Sequence, residues 1–182
     1  MLFSRVSESK LFQAPARTSR CGYWARGAQL AAELGLPYGF ASHFAPQALD
    51  FALKIYRERF RPSAQLNAPF ALVGVNVIAA ETDQEARRLA TSQQMSFADR
   101  VRGIRNLMQP PIDDIESYWS PEEKAQASEM LACSVIGSPE TVRSGLQRII
   151  DRTRADELMV VSDIFDPQKR LRSFEIIADV TR

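Results

Sequence analysis

The sequence has little cysteine and almost no histidine, and this limits the chemistry that it can support alone. Its two cysteines, Cys21 and Cys133, stand far apart among 182 residues, so they suggest neither a disulfide framework nor a zinc site. His43 is the one histidine, which excludes a multi-histidine metal site within this chain. We therefore expect no bound metal and two free thiols in a reducing, cytoplasmic compartment.

A charge imbalance and a long apolar run are absent as well. The chain carries 23 basic and 22 acidic residues, for a formal net charge of +1, which gives no electrostatic reason to expect a nucleic acid or an anionic membrane as partner. No apolar stretch approaches the roughly 20 residues of a membrane span. The first 20 residues lack the apolar segment of a secretory signal.

From about residue 25 onward, short apolar strands alternate with amphipathic helices. Residues 1–24 have no period and are predicted to be an irregular or disordered leader, followed by one domain over 25–182. Strands are predicted at 38–42, 70–79 and 157–162, and helices at 27–34, 46–60, 82–102, 120–132, from 138 and from 166. A helical insertion over about 104–134 interrupts the alternation. The pattern predicts an α/β fold with a parallel sheet.

Two parallel architectures fit this pattern, an open doubly wound sheet and a (β/α)8 barrel. The sequence contains neither G-x-G-x-x-G nor G-x-x-x-x-G-K-[ST], so the usual phosphate loops of the open sheet are absent. A complete barrel takes roughly 250 residues, more than this chain has. The pattern alone does not decide between the two.

Four segments are distinctive: GAQLAAELGLPYGFASHFAP (27–46), VGVNVIAAETDQEARRLATS (73–92), IGSPETVRSGL (136–146) and ADELMVVSDIFDPQKRLRSFEIIAD (155–179). They resemble segments of luciferase-like flavin-dependent monooxygenases. The resemblance implies the C-terminal part of a (β/α)8 TIM-type barrel whose N-terminal half is missing. It also implies oxidation of a small organic substrate by O2 and reduced FMN, in a homo-oligomer supplied by a separate flavin reductase.

Two other functions are alternatives to a monooxygenase. Some branches of the family use the deazaflavin F420, which would make the protein a hydride-transfer oxidoreductase. Alternatively, a chain that lacks half of its barrel is a non-catalytic remnant, which folds only by pairing its open edge in an oligomer.

Three candidate site residues lie at or near the carboxyl ends of predicted strands, where barrel active sites sit. His43 is the catalytic candidate because its pKa suits proton transfer; the alternative is a structural histidine that fixes a loop. Ser42 precedes it and is expected in the same cofactor pocket. Asn76 interrupts an apolar strand, so a buried amide there needs partners, either the cofactor or a neighbouring strand.

The resemblance also points to a phosphate-binding turn, and here the sequence departs from the family. Members carry a Gly-Ser-Ser turn near the flavin phosphate, whereas this chain has Tyr23 and Trp24 after Gly22. Gly22, Arg26 and Gln29 are the candidates to surround the phosphate; Arg26 either replaces the lost hydroxyl donors or is a solvated arginine.

Overall fold

The structure, a computed structural model, describes residues 20–42 and 44–182, with side chains described from Trp24 onward. The strands are β1 (Tyr38–Ala41), β2 (Ala71–Ala79), β3 (Ser134–Gly137) and β4 (Glu157–Val161). The helices are α1 (Arg20–Glu33), α2 (Leu49–Arg59), α3 (Asp83–Val101), α4 (Pro121–Met130), α5 (Pro139–Thr153) and α6 (Pro167–Val180), with a short 3-10 helix at Pro46–Ala48 before α2. None of the described helices is long and apolar enough to cross a membrane.

The sheet is organised around β2, which pairs in parallel with each of the other three strands. Residues 71–74 of β2 pair with β1, 76–79 with β3 and 72–76 with β4. Because β1 and β4 both pair with residues 72–74, they lie on opposite sides of β2. The predicted α/β fold with a parallel sheet is therefore confirmed.

Alternation along β2 separates two faces of the sheet. Val73, Val75 and Val77 are fully buried in the main core, which α1, α2, α5 and α6 complete. Ile78 belongs to a second, smaller core with residues of α3, including Leu89. The four helices thus cover one face of the sheet, and α3 packs near the carboxyl end of β2 on the other.

Strand β3 was not predicted from the sequence. Its four residues, S-V-I-G, are too short to show a period of two, and they stand between a helix end and the proline that opens α5. The strand forms because β1 pairs only with residues 71–74 of β2, so residues 76–79 extend beyond it and offer a free edge on the same side.

Helix α1 begins earlier than predicted. It starts at Arg20, so the last five residues of the predicted irregular leader are helical, while residues 1–19 lie outside the described part of the chain. Trp24 lies in this helix with its ring 5.0 Å from that of Phe40, and it packs against the main core. Burial of this aromatic ring explains why the helix extends back past Gly27.

Side-chain caps mark the starts of α4 and α6 but not the start of α5. Ser120 and Glu123 form the reciprocal capping box of α4, and Asp166 caps α6. Ser138 precedes α5, but its side chain makes no capping bond; its backbone N–H donates to Asp83 at 2.7 Å. This bond holds the pKa of the Asp83 carboxyl below its usual value. Asp83 thereby takes the place that an external anion would occupy at the α5 N-terminus.

Tyr56 joins three chain segments on the helical side of the sheet. Its side chain is fully buried, and its hydroxyl accepts from the backbone N–H of Phe70 at 3.0 Å and donates to the carbonyl of Leu36 at 2.8 Å. The hydroxyl therefore fixes the segments that lead into β1 and β2.

We expect Tyr56→Phe to lower the free energy of unfolding by about 1–3 kcal/mol, because the Phe70 N–H loses its acceptor without gaining water. The matched control is Tyr38→Phe, since the Tyr38 hydroxyl makes one longer bond, 3.3 Å, to the carbonyl of Trp24. Urea unfolding of both variants measures the difference. Equal losses in the two variants would contradict the bridging role of Tyr56.

Candidate functional site

A cleft of about 720 Å3 lies at the carboxyl end of the strands. Asn76 of β2, Val161 at the end of β4 and Phe44 shortly after β1 all contribute to its wall. The second half of α3 and the segment that follows it form much of the rest of the wall. Parallel α/β proteins bind their ligands at this end of the sheet, and the volume is that of a small-molecule site.

The lining combines apolar, amide and charged side chains. The apolar residues are Phe44, Phe97, Ile104, Met108, Leu131 and Val161. The polar residues are Asn76, Gln93, Ser96, Asn106, Asp99, Arg100, Arg105 and Asp163. In the described part of the chain, no group of three or more His, Cys, Asp or Glu residues could hold a metal ion. The composition suits an organic ligand with a flat apolar body and several polar groups.

Two amides that hydrogen-bond to each other, those of Asn76 and Gln93, form the floor of the cleft. Asn76 Nδ2 donates to Gln93 Oε1 at 2.8 Å, and Gln93 Nε2 donates back to Asn76 Oδ1 at 3.0 Å. The second proton of each amide is used as well, on Ser134 Oγ at 3.2 Å and on Asp163 Oδ2 at 3.1 Å. Both donors are thus saturated, while each amide oxygen keeps a lone pair that a ligand can use.

The buried carboxylate of Asp99 organises the segment after α3. It accepts from the Tyr118 hydroxyl at 2.7 Å, from Asn106 at 3.0 Å and from Gln109 at 3.4 Å. Burial and this bond to Asp99 raise the pKa of Tyr118, so its proton stays in place. One side chain of α3 therefore holds three points of the irregular segment that borders the cleft.

Arg102 holds the same irregular segment at a second point. Its guanidinium donates to both carboxylate oxygens of Glu123 at 2.8 Å and lies 3.5 Å from Asp99. The paired bonds to Arg102 lower the pKa of Glu123 to about 2. Because Glu123 belongs to α4, the pair ties both ends of the segment to the helices that flank it.

Two further arginines, Arg100 and Arg105, face the cleft. Arg100 lies over the ring of Phe97, 5.0 Å from its centroid. Within residues 20–42 and 44–182, no carboxylate stands in ion-pair range of Arg100 or Arg105. The cleft wall therefore offers positive charge to an anionic group of a ligand.

Of the residues predicted near the strand ends, the structure places Asn76 in the cleft wall and Ser42 outside it. Asn76 lines the cleft, and its buried amide finds the partners that the sequence required. Ser42 is buried and donates to the carbonyl of Gly74 at 2.6 Å, so it links β1 to β2 and does not line the cleft. His43 lies outside the described residues, and its catalytic role stays a prediction.

The predicted phosphate turn is helical. Gly22, Arg26 and Gln29 all lie in α1, and the side chains of Arg26 and Gln29 do not line the cleft. Gln29 donates to Glu33 one turn later at 2.7 Å. Their contact with a flavin phosphate stays a prediction, but the tight turn expected around them is not formed.

Sequence reasoning missed the contribution of α3. Gln93 falls on the same stripe as Ala86, Leu89, Ala90 and Phe97, all of them buried. A polar residue on an apolar helical stripe signals a buried hydrogen-bond partner, and this signal was available. No comparable sign marks Arg100 and Arg105, which meet the cleft through the fold of the segment beside them.

A parallel sheet with a ligand-sized cleft at the carboxyl ends of its strands is the arrangement in which α/β proteins typically bind small organic molecules. The sequence model of the luciferase-like monooxygenase family matches residues 21–157. The chain belongs to the luciferase-like monooxygenase family.

Relatives and a solved structure agree with this membership. The chain is 49% identical over 153 residues to YvbT of Bacillus subtilis (strain 168) and 48% identical over 153 residues to a luciferase-like monooxygenase of Escherichia coli (strain K12); each match covers 84% of this chain and 46% of the relative. The crystal structure of apo-MsnO8 superposes with a TM-score of 0.69 at 32% identity, over 85% of this chain and 47% of MsnO8. The chain thus spans about half the length of the proteins that it matches.

We expect Arg102→Gln to loosen the segment 102–120. Since the pKa of Glu123 in the folded protein, about 2, lies below its usual value of 4.5, the pair stabilises the fold fully above pH 4.5 and loses this effect as the pH falls towards 2. In the unsubstituted protein, the protection of the amides of 102–120 against hydrogen exchange, corrected for the intrinsic rate at each pH, should therefore decrease as the pH falls over this range. In Arg102→Gln the protection should be low at neutral pH already.

Arg105→Gln is the control, because this arginine lies in the same segment and has no ion pair within the described residues. Protection that is unchanged in Arg102→Gln at neutral pH would show that Arg102 does not hold the segment.

Proposed function

We propose that the cleft binds reduced FMN and that the protein takes part in the O2-dependent oxidation of a small organic substrate. The observation that carries the proposal is the cleft at the carboxyl ends of the strands, with its amide floor, apolar walls and two arginines, in a chain of this family. When bound, reduced FMN supplies the electrons with which oxygen is activated. A separate flavin reductase is the expected source of the reduced cofactor.

The residues of the cleft fit the chemical groups of a flavin. The ring system of FMN is flat and apolar with polar edges, which suits walls formed by residues such as Phe97 and Val161 beside the amide oxygens of Asn76 and Gln93. The phosphate is a dianion for which Arg100 and Arg105 provide positive charge. These side chains bind and orient the cofactor, while the segment pinned by Asp99 and Arg102 excludes water from one side.

His43 is the proposed proton-transfer group. It follows the buried Ser42 and immediately precedes Phe44, which lines the cleft. An imidazole is the side chain whose ordinary pKa lies closest to neutrality, so it can give or take a proton at the substrate. Because the matched relatives carry about as much chain again, we propose that further catalytic groups come from that additional part.

The charge reversals Arg100→Glu and Arg105→Glu test where the phosphate binds. We expect each to weaken FMN binding by about tenfold or more while riboflavin, which lacks the phosphate, binds as before. Titration of the purified full chain, followed by flavin fluorescence, gives both affinities. Arg148→Glu is the control, because this exposed arginine of α5 lies outside the cleft lining.

Arg26→Glu separates the two candidate phosphate sites. If it alone weakens FMN binding and spares riboflavin, the phosphate lies at α1, and the assignment to Arg100 and Arg105 is wrong. Saturable binding of F420 in place of FMN would identify the deazaflavin function. The absence of saturable binding to any flavin would favour a non-catalytic remnant.

A further inference from the structure

The lining of the cleft includes two carboxylates, which differ in how fully they are hydrogen-bonded. Asp99 is buried and accepts three hydrogen bonds from the irregular segment, with Arg102 3.5 Å away. Asp163 is exposed, and its Oδ2 accepts one bond from Gln93 Nε2 at 3.1 Å. Within residues 20–42 and 44–182, its Oδ1 has no donor and no cation lies in ion-pair range of it. Asp163 therefore keeps bonding capacity for a ligand, whereas most of that of Asp99 is used.

The residues on either side of Asp163 hold it at the cleft. Ser162 is 5% exposed and Ile164 is 2% exposed. Ser162 Oγ lies 3.4 Å from Ser173 Oγ, which itself accepts from the backbone N–H of Ala79 at the end of β2. Ile164 packs in the second core with residues of α3. Because both neighbours are anchored in the protein interior, the position of the carboxylate is set by the fold.

Gln93 presents hydrogen atoms, and not its oxygen, to Asp163. Its Oε1 accepts from Asn76, and its Nε2 donates both to Asn76 and to Asp163. If this amide were turned over, its oxygen would face the carboxylate, and two acceptors would repel each other. The two amides of the floor thus engage one oxygen of Asp163 and leave the other without a donor from the described chain.

Ligand binding changes the surroundings of this second oxygen. In the free protein Asp163 is exposed, so water solvates its charge. A ligand that fills the cleft displaces this water, and a carboxylate that loses water without gaining a partner is strongly disfavoured. The single neutral amide bond from Gln93 compensates a full negative charge only in part. A ligand with a cation at this point restores the lost interactions, whereas an apolar or anionic group does not.

The arginines of the lining indicate which part of the ligand meets Asp163. Arg100 and Arg105 lie at the end of α3 and shortly after it, and in the proposed function they bind the phosphate of the cofactor. A phosphate bound there leaves the charge of Asp163 without a counter-charge. We propose that the organic substrate is an amine whose protonated nitrogen donates to Asp163, which makes Asp163 a specificity-determining residue. This inference rests on the proposed function, since it names the class of its substrate.

The probe is phenethylamine, which has a flat apolar ring and is protonated at neutral pH, and its neutral counterpart is phenethyl alcohol. Titration of the purified full chain, followed by NMR of the ligand ring signals, gives both dissociation constants. We expect the amine to bind more tightly by about fivefold or more, because a hydrogen bond between charged groups is stronger than one to a neutral donor. Asp163→Asn should abolish this preference. Its affinity for the alcohol should stay unchanged, which also shows that the variant is folded.

Asp151→Asn is the matched control. Asp151 is likewise exposed and accepts from a glutamine amide, Gln147 Nε2 at 2.8 Å, but it lies on α5 outside the cleft lining. This variant should keep the full preference for the amine. Equal binding of amine and alcohol by the unsubstituted chain would overturn the inference, as would a preference that survives in Asp163→Asn.

Titration of the same variants with riboflavin and FMN separates this inference from the proposed function. An amine preference that depends on Asp163, in a chain that binds neither flavin, supports the amine site and contradicts the proposed function. Saturable FMN binding without any amine preference has the opposite meaning. If Asp163→Asn weakens riboflavin binding as much as amine binding, Asp163 binds the flavin itself, and its assignment to the substrate is wrong.

Discussion

The register of β2 is the constraint on which the rest of the structure depends. Its nine residues pair with every other strand of the described chain, and its alternation sends Val73, Val75 and Val77 to the helices. The positions between them face the cleft side, and Asn76 is one of these. A shift of one residue would place the asparagine among apolar helices and a valine at the cleft, so packing of the valines also fixes the site.

A second constraint follows from the first, because a buried amide must be hydrogen-bonded. Asn76 satisfies this requirement through Gln93, and the reciprocal pair sets the position of α3 over the strand ends. Once α3 is fixed, Asp99 on the same helix reaches Tyr118 and Asn106 and holds the irregular segment at the cleft. The strand thus positions the helix, and the helix positions the segment. Each of these two steps depends on a polar contact that packing alone would not specify.

The sequence predicted those parts of the fold that follow from local periodicity. The long apolar run of β2, the helix that starts near residue 120 and the need for partners at Asn76 were all visible. The short strand β3 was missed because its existence depends on the free edge of β2 and not on its own residues. The prediction of a tight phosphate turn was wrong because Trp24 packs on Phe40, which favours a continuous helix there.

The cleft and two apolar side chains, those of Leu72 and Met159, lie on one side of the sheet. Asn76, near the carboxyl end of β2, and Leu72, four residues earlier, alternate onto the same surface, and Met159 lies beside them on β4. The pleat of β2 therefore places the polar group at the cleft and the apolar side chain of Leu72 on one surface, so the strand that fixes the core also fixes what stands beside the site.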